Sequence, residues 1–468
     1  MPADLSTLLT RRALLQDIGL GIGGIALSTL LSESAGANRL SPKLAHYAPR
    51  AKNVIFLFAG GGVSQLDTFD PKPELKKRHG QVLPNELAKG ERFAFINPKS
   101  KLLGSPYAFK KHGDSGMPFS ELLPNLARLA DRTTLVRSMR TDNVNHGPAQ
   151  KLMATGFERE GRPSMGAWVT YGLGSQNSDL PAFVDWPTSK DRIRSPLKAA
   201  GFLPSVYQAV TLRPGADPVF YLSDPAGMSR KDRRSTIDAI NDLNRERLSV
   251  VGDPEIETRI AQYEMAFRMQ AAVPELLDLS GETKDSLNAY GIQEPGESSL
   301  ARNLLLARRL VERGVRFVQL RDGDWDHHDK IFTNLPKMCA KLDRPLAALV
   351  LELEQRGLLQ ETLVIWAGEF GRTPMVQGRF NNQGAGRDHH KHAFTIWMAG
   401  GGLKPGLTYG ATDELGYHIT ENPVHVHDLQ ATILHLLGLD HEELTYRHAG
   451  RDHRLTDEFG EVKKDLLA

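Results

Sequence analysis

Lys52-Asn53-Val54-Ile55-Phe56-Leu57-Phe58, closed by Ala59-Gly60-Gly61-Gly62, is the stretch that decides the fold class. An unbroken apolar run with β-branched and aromatic residues predicts a strand buried on both faces, and the glycines predict a tight turn at its carboxyl end. Similar runs at 133–136, 315–320, 361–366 and 393–398 predict further strands. Helical patterns at 304–311, 346–353 and 429–437 lie between or after them. Strand alternating with helix predicts an α/β fold: a doubly wound, mostly parallel sheet with helices on both faces. From 229 to 279 the chain is strongly charged, with Ile256, Ile260, Tyr263 and Phe267 at helical spacing. That pattern predicts an inserted helical segment, either a lid over a site or a filler along one edge of the core. Residues 93–117, rich in Gly, Pro, Ser and Lys, read as a long surface loop.

The 468-residue chain has ample apolar content for a well-buried core. Its 58 basic and 56 acidic side chains nearly cancel, so no net field draws it to nucleic acid or to an anionic membrane. Cys339 is the only cysteine, which excludes an intrachain disulfide and a Cys-rich zinc site. Any metal must be held by oxygen and nitrogen. Thr10-Arg11-Arg12-Ala13-Leu14-Leu15, an apolar stretch from Gly19 to Leu31 and Ala35-Gly36-Ala37 together look like a twin-arginine export signal. Residues 1–37 are therefore expected to engage the twin-arginine export machinery, and 38–468 to form one domain in the periplasm or outside the cell. No later stretch approaches the roughly 20 apolar residues of a membrane helix, so no integral membrane segment is expected after signal removal.

Twelve of the sixteen histidines lie at or after His327. Polar residues collect where the predicted strands end: Ser64-Gln65-Leu66-Asp67 after the first, Asp142-Asn143-Val144-Asn145-His146 after the second, Asp322-Gly323-Asp324-Trp325-Asp326-His327-His328 after the third, and Gly368-Glu369-Phe370-Gly371-Arg372 after the fourth. A further group, Arg387-Asp388-His389-His390-Lys391-His392, precedes the fifth. In an open parallel sheet, loops beyond the carboxyl ends of the strands converge on one side. Carboxylates and imidazoles gathered there without basic partners call for a cation. The expected metal ligands are Asp67, Asp326, His328, Glu369 and His389, binding zinc, manganese, magnesium or calcium, with one ion or two adjacent ones. Asp322 and Asp324 remain open as alternatives to Asp326.

Blander roles stand beside these. Asp67 suits a turn or helix cap, and Glu369 suits an ion pair with Arg372. His389 and His390 read as one ligand and one supporting group, His392 as solvated, and His425 and His427 as surface or capping residues. Lys190-Asp191-Arg192-Ile193-Arg194 reads as a solvated charge run. Gly60-Gly61-Gly62 fits neither a phosphate loop nor a dinucleotide fingerprint, and no Gly-x-Ser-x-Gly elbow occurs.

Gly61 through Pro73, Trp325-Asp326-His327-His328, Gly368 through Pro374 and Gly386 through His390 resemble a large bacterial family catalogued as domain of unknown function 1501. Its members often carry twin-arginine signals and are often labelled sulfatases. The resemblance covers nearly all of the mature chain and implies an alkaline-phosphatase-like fold. Within that fold, His146-Gly147-Pro148-Ala149-Gln150 looks like the start of the sulfatase nucleophile helix, which places His146 where a Cys, Ser or Thr nucleophile would stand. Phe370 likewise stands where a histidine ligand would be. Cys339 lies in Pro336-Lys337-Met338-Cys339-Ala340, outside a Cys-x-Pro-Ser-Arg context, so the formylglycine mechanism is not available. Two functions are carried forward. One is an exported metal-dependent hydrolase of a sulfate or phosphate ester on a small anionic substrate, with His146 as ligand, general base or covalent nucleophile. The other is a catalytically inactive, metal-stabilised binding or envelope scaffold protein.

Overall fold

The computed structural model describes residues 39–84, 86, 90, 93–97, 99–188, 196–213, 227–296 and 298–468. The expected export signal at 1–37 and the charge run at 190–194 lie outside the described residues. The central sheet is built from β1 (Asn53–Ala59), β2 (Thr133–Arg140), β3 (Phe183–Pro187), β4 (Val210–Thr211), β5 (Phe317–Asp322), β6 (Thr362–Ala367), β7 (Phe394–Gly400), β8 (Leu407–Tyr409) and β9 (Val424–His425). Their order is β8-β2-β7-β6-β1-β5-β3-β4, with β9 also paired to β2. Every strand but β7 runs the same way. The mostly parallel α/β sheet expected from the sequence is therefore present, and the carboxyl ends of β1, β2, β5 and β6 share one edge.

β1 sits in the middle and shows why its sequence is apolar throughout. Val54, Phe56 and Phe58 enter one hydrophobic cluster, while Ile55, Leu57 and Ala59 enter the other. Each of these side chains, taken from water, contributes roughly 1.5–3 kcal/mol for the larger ones. Helices cover both faces: α1 (His146–Thr155) and α6 (Val426–Leu436) belong to one cluster, α4 (Leu300–Glu312) and α5 (Ile331–Gln355) to the other. α5 begins well before the expected 346. It runs through Pro336 and Pro345, its apolar face held against α4 and the core despite those breaks.

The charged segment folds as two helices, α2 (Arg230–Val251) and α3 (Pro254–Leu277). Ser229 and Asp232 form a capping box at the start of α2, Gly252 closes it at φ 69°, and Asp253 caps α3. α3 places Met269, Val273 and Leu276 in the core, whereas α2 buries only Ile237 and Asn241. The packing is that of a filler along one edge.

Residues 93–117 are more than a surface loop. Leu102 and Leu103 are buried in small apolar clusters, and Phe109–His112 pairs with Met117–Ser120 as a hairpin. A second ribbon, Gly371–Gly378 against Ala385–His390, rises beside the edge where the strand ends converge. Its second strand carries Arg387, Asp388, His389 and His390, all buried, and its register shifts between Arg387 and His389.

Candidate metal centre

Four chain segments meet at this edge. The turn after β1 approaches the loop after β5 so closely that a Cβ on Gly61 (φ 116°) would stand 2.4 Å from the Asp326 backbone nitrogen. Only glycine fits there. Arg372, fully buried, locks the junction: its Nε donates to the Gly62 carbonyl (3.1 Å), Nη1 to the Arg387 carbonyl (2.9 Å), and Nη2 to the Gly61 carbonyl and to Asp326 Oδ1. Gln65 ties the same turn to the ribbon by exchanging hydrogen bonds of 2.9 Å with the Arg372 backbone.

Within this frame His146, Asp326, His328 and His389 present ligand atoms that all lie within 4.8 Å of one another. Nε2 of His146, His328 and His389 stand 3.1, 2.8 and 3.2 Å from Asp326 carboxylate oxygens. The opposite ring nitrogens face acceptors: His146 Nδ1 meets Glu369 Oε1 at 2.7 Å, His328 Nδ1 meets Gln377 Oε1 at 2.5 Å, and His389 Nδ1 meets the Val144 carbonyl at 2.6 Å. A hydrogen on each Nδ1 satisfies these acceptors and turns all three Nε2 atoms toward one carboxylate. Metal-ligating histidines are oriented in this way by oxygen partners on their far side. His146 Nε2 is buried and makes no well-directed hydrogen bond within the chain. The donor set of the His328 and His389 Nε2 atoms and an Asp326 carboxylate oxygen, with His146 beside it, fits a divalent ion such as zinc or manganese.

The protein's own charges respond to this crowding. Burial depresses the His146 pKa, but Asp326 and Glu369 overcome it and hold His146 up at about 9. Burial raises Asp326, and its bonds to His146, His328 and His389 with the nearby Arg372 charge bring it far below the usual carboxylate range. Burial lowers His389 more than Asp326 raises it.

The expected site residues divide in two. Asp326, His328 and His389 come together, with His146 as a fourth member. Glu369 stands behind His146, fully buried, accepting also from Gln150 Nε2 (3.0 Å) and from the Gly61 nitrogen (3.1 Å). Asp67 is not brought to the cluster. Arg387 takes both of its oxygens, at 2.8 and 3.2 Å, and Ser64 Oγ adds a bond of 2.6 Å. The expectation of carboxylates without basic partners thus fails at Asp67 with Arg387, at Asp326 with Arg372 and at Asp322 with Lys341. Sequence reading set Arg372 against Glu369, whereas it pairs with Asp326, and it gave no role to Arg387, Gln377 or Gln150.

The three aspartates at and beyond the end of β5 have different surroundings, and only Asp326 stands among the imidazoles. Asp322 is buried against Lys341 (2.6 Å), Thr188 (2.6 Å) and Trp325 Nε1 (3.1 Å), and Asp324 is exposed at φ 71°. His390 is buried with Nε2 on the Tyr417 carbonyl (2.7 Å), and burial pushes its pKa down to about 3. His392 is half-buried among the rings of His390, Tyr417 and His418 rather than solvated. His425 caps α6, while His427 is buried with Nε2 on the Gly156 carbonyl (2.9 Å), not on the surface. Cys339 is buried within α5 in the core, its thiol pKa raised by burial.

The family model described as protein of unknown function (DUF1501) matches residues 51–467. The chain belongs to the DUF1501 family. No curated protein matches this DUF1501 chain in sequence. Among solved structures it is similar to the PsFucS1 sulfatase from Pseudoalteromonas sp., at 12% identity and TM-score 0.38, covering 90% of this chain and 72% of that one. It is also similar to the phosphonate monoester hydrolase SpPMH from Silicibacter pomeroyi, at 10% identity and TM-score 0.32, covering 83% and 73%. A variant of TAB5 alkaline phosphatase with Mg bound is similar at 11% identity and TM-score 0.31, covering 84% of this chain and 100% of that one. Identities this low leave the chemistry of the DUF1501 chain to be read from its own residues.

One prediction concerns the ribbon that carries His389. A Cβ on Gly386 would lie 2.0 Å from the His328 carbonyl carbon, so Gly386→Ala must displace the loop that presents His328. Metal affinity is expected to fall by about 10–100-fold, the scale on which supporting contacts act. Metal titration checks this, and an unchanged affinity would show that His328 is not held from behind by the ribbon.

Proposed function

We propose that this chain is an exported, metal-dependent hydrolase of a sulfate or phosphate ester. The observation that carries the reading is the convergence of three Nε2 atoms on Asp326, each imidazole fixed from its far side by an oxygen. Asp326, His328 and His389 are the residues to hold a divalent ion. Such an ion, when bound, supplies Lewis acidity that lowers the pKa of water and offsets charge on an ester oxygen.

His146 is the residue assigned to the proton. Glu369 accepts its Nδ1 hydrogen and is itself held by Gln150 and the Gly61 nitrogen, so the ring is oriented with Nε2 toward the cluster. With its pKa held up at about 9 by Asp326 and Glu369, the ring carries a proton on Nε2 near neutral pH and is set to give it to the leaving oxygen as a general acid. Phe370, buried with its ring 5.0 Å from that of His146 and 4.4 Å from that of His389, gives both imidazoles an apolar backing. The core position of Cys339 removes the one thiol as a nucleophile. Export rests on the Arg11-Arg12 segment, and among the described residues no helix is long and apolar enough to cross a membrane.

His146→Ala tests the assignment with aryl phosphates and aryl sulfates in the presence of metal. Turnover is expected to fall by about 10²–10⁴-fold with bound metal retained. Loss of metal in that variant would make His146 a ligand instead, and full activity would remove it from the mechanism. A wild-type protein that melts in a metal-dependent way yet turns over neither ester would favour the inactive envelope scaffold.

A further inference from the structure

Phe95 stands at the rim of the cluster and is 64% exposed, an unusual position for a phenyl ring. Its ring meets those of His328 and His389 edge to face, with centroids 5.1 and 5.5 Å away. The backbone beneath it is anchored from the protein interior. Asp388, fully buried at the register shift of the ribbon, accepts hydrogen bonds at one oxygen from the Phe95 nitrogen (2.9 Å) and the Ile96 nitrogen (3.1 Å). Its other oxygen accepts from the nitrogen of His389 (2.8 Å). One carboxylate therefore fixes the position of Phe95 and that of His389 together. A ring serving only to shield the imidazoles would be covered itself; this one leaves most of its surface to solvent beside them.

We propose that Phe95 is a specificity-determining residue that receives a ring-shaped apolar face of the substrate, next to the anionic group bound at the cluster. This rests on the anion-binding role proposed above and adds to it the class of the esterified group: a cyclic one with an apolar face, rather than a short alkyl chain. Aromatic stacking strengthens binding by about threefold to tenfold beyond simple burial.

The test compares phenylphosphonate with methylphosphonate, neither of which is hydrolysed, by calorimetric titration of the metal-loaded full chain. Wild-type protein is expected to bind phenylphosphonate about threefold to tenfold more tightly. Phe95→Ala should lose that preference while keeping its metal content and its affinity for methylphosphonate, and Phe95→Tyr should restore the preference. Equal affinities for the two phosphonates in the wild type, or a preference that survives Phe95→Ala, would overturn the role of Phe95 and leave the anion site standing. Loss of metal from Phe95→Ala would overturn it in favour of a structural shield. If neither phosphonate binds the metal-loaded wild type, the anion-site reading fails and this inference falls with it.

Discussion

Replacing Arg387 by leucine is expected to lower the free energy of unfolding by about 3–5 kcal/mol, because it leaves the Asp67 carboxylate buried without its counter-charge. Both side chains are completely buried, and the arginine also donates to the Leu103 (2.9 Å) and Thr373 (3.3 Å) carbonyls. Burial alone would raise the Asp67 pKa; the Arg387 charge and its hydrogen bonds, with that from Ser64, reverse it and hold the carboxyl below its ordinary range. In the wild type this carboxylate therefore contributes stability that is present above the unfolded pKa and is lost as pH falls through the lower folded value. In Arg387→Leu the burial effect remains unopposed, the folded pKa moves above the unfolded one, and the deficit should narrow as pH is lowered toward 4. The double variant Asp67→Leu, Arg387→Leu should recover most of the loss, since it removes the orphaned charge. Urea unfolding followed by tryptophan fluorescence checks all three; a single-variant loss below about 1 kcal/mol would mean that water reaches Asp67.

Removing bound metal is the second large effect expected. Two imidazoles and a carboxylate packed around one point, with the His146 ring beside them, are stabilised when a cation joins them, and an ion that binds only the folded chain stabilises it by about 4 kcal/mol at a free concentration a thousandfold above its Kd. A chelator should lower the melting temperature of wild-type protein, and adding zinc or manganese should restore it. Asp326→Ala should melt at one temperature with or without chelator. Identical melting of wild-type protein in chelator and in metal would contradict a site of useful affinity.

How far the sequence could be read depended on whether a segment's burial was written in its own residues. β1 was legible because both of its faces enter the core, so its side chains from Val54 to Ala59 are all apolar. β3 was not, because Asp185 interrupts it and Pro187 ends it; Asp185 is tolerated because Arg321, 136 residues later, bonds to it at 2.7 and 2.9 Å and Gln319 adds a bond of 3.1 Å. The ribbon strand with Arg387, Asp388 and His389 reads as a polar loop for the same reason. Each of its charges is matched by a group from elsewhere, Arg387 by Asp67 at a separation of 320 residues and Asp388 by the backbone at Phe95 and Ile96. At the candidate site, histidine clustering at strand ends marked the right loops. It did not separate Asp326 from Asp322, since the distinction lies in Lys341 and Trp325 around one and three imidazoles around the other. Nor did it show that Glu369 would orient His146, because that depends on where α1 begins relative to the end of β6.

The proposed function depends on Asp326, His328 and His389, with His146 beside them, forming a metal centre. Elemental analysis of the purified mature protein, beside an Asp326→Ala, His328→Ala double variant, tests it most directly. About one equivalent of a divalent ion such as zinc or manganese is expected in the wild type and none in the variant. A wild-type protein that retains no metal after resupply, or a double variant that keeps its metal, would contradict it.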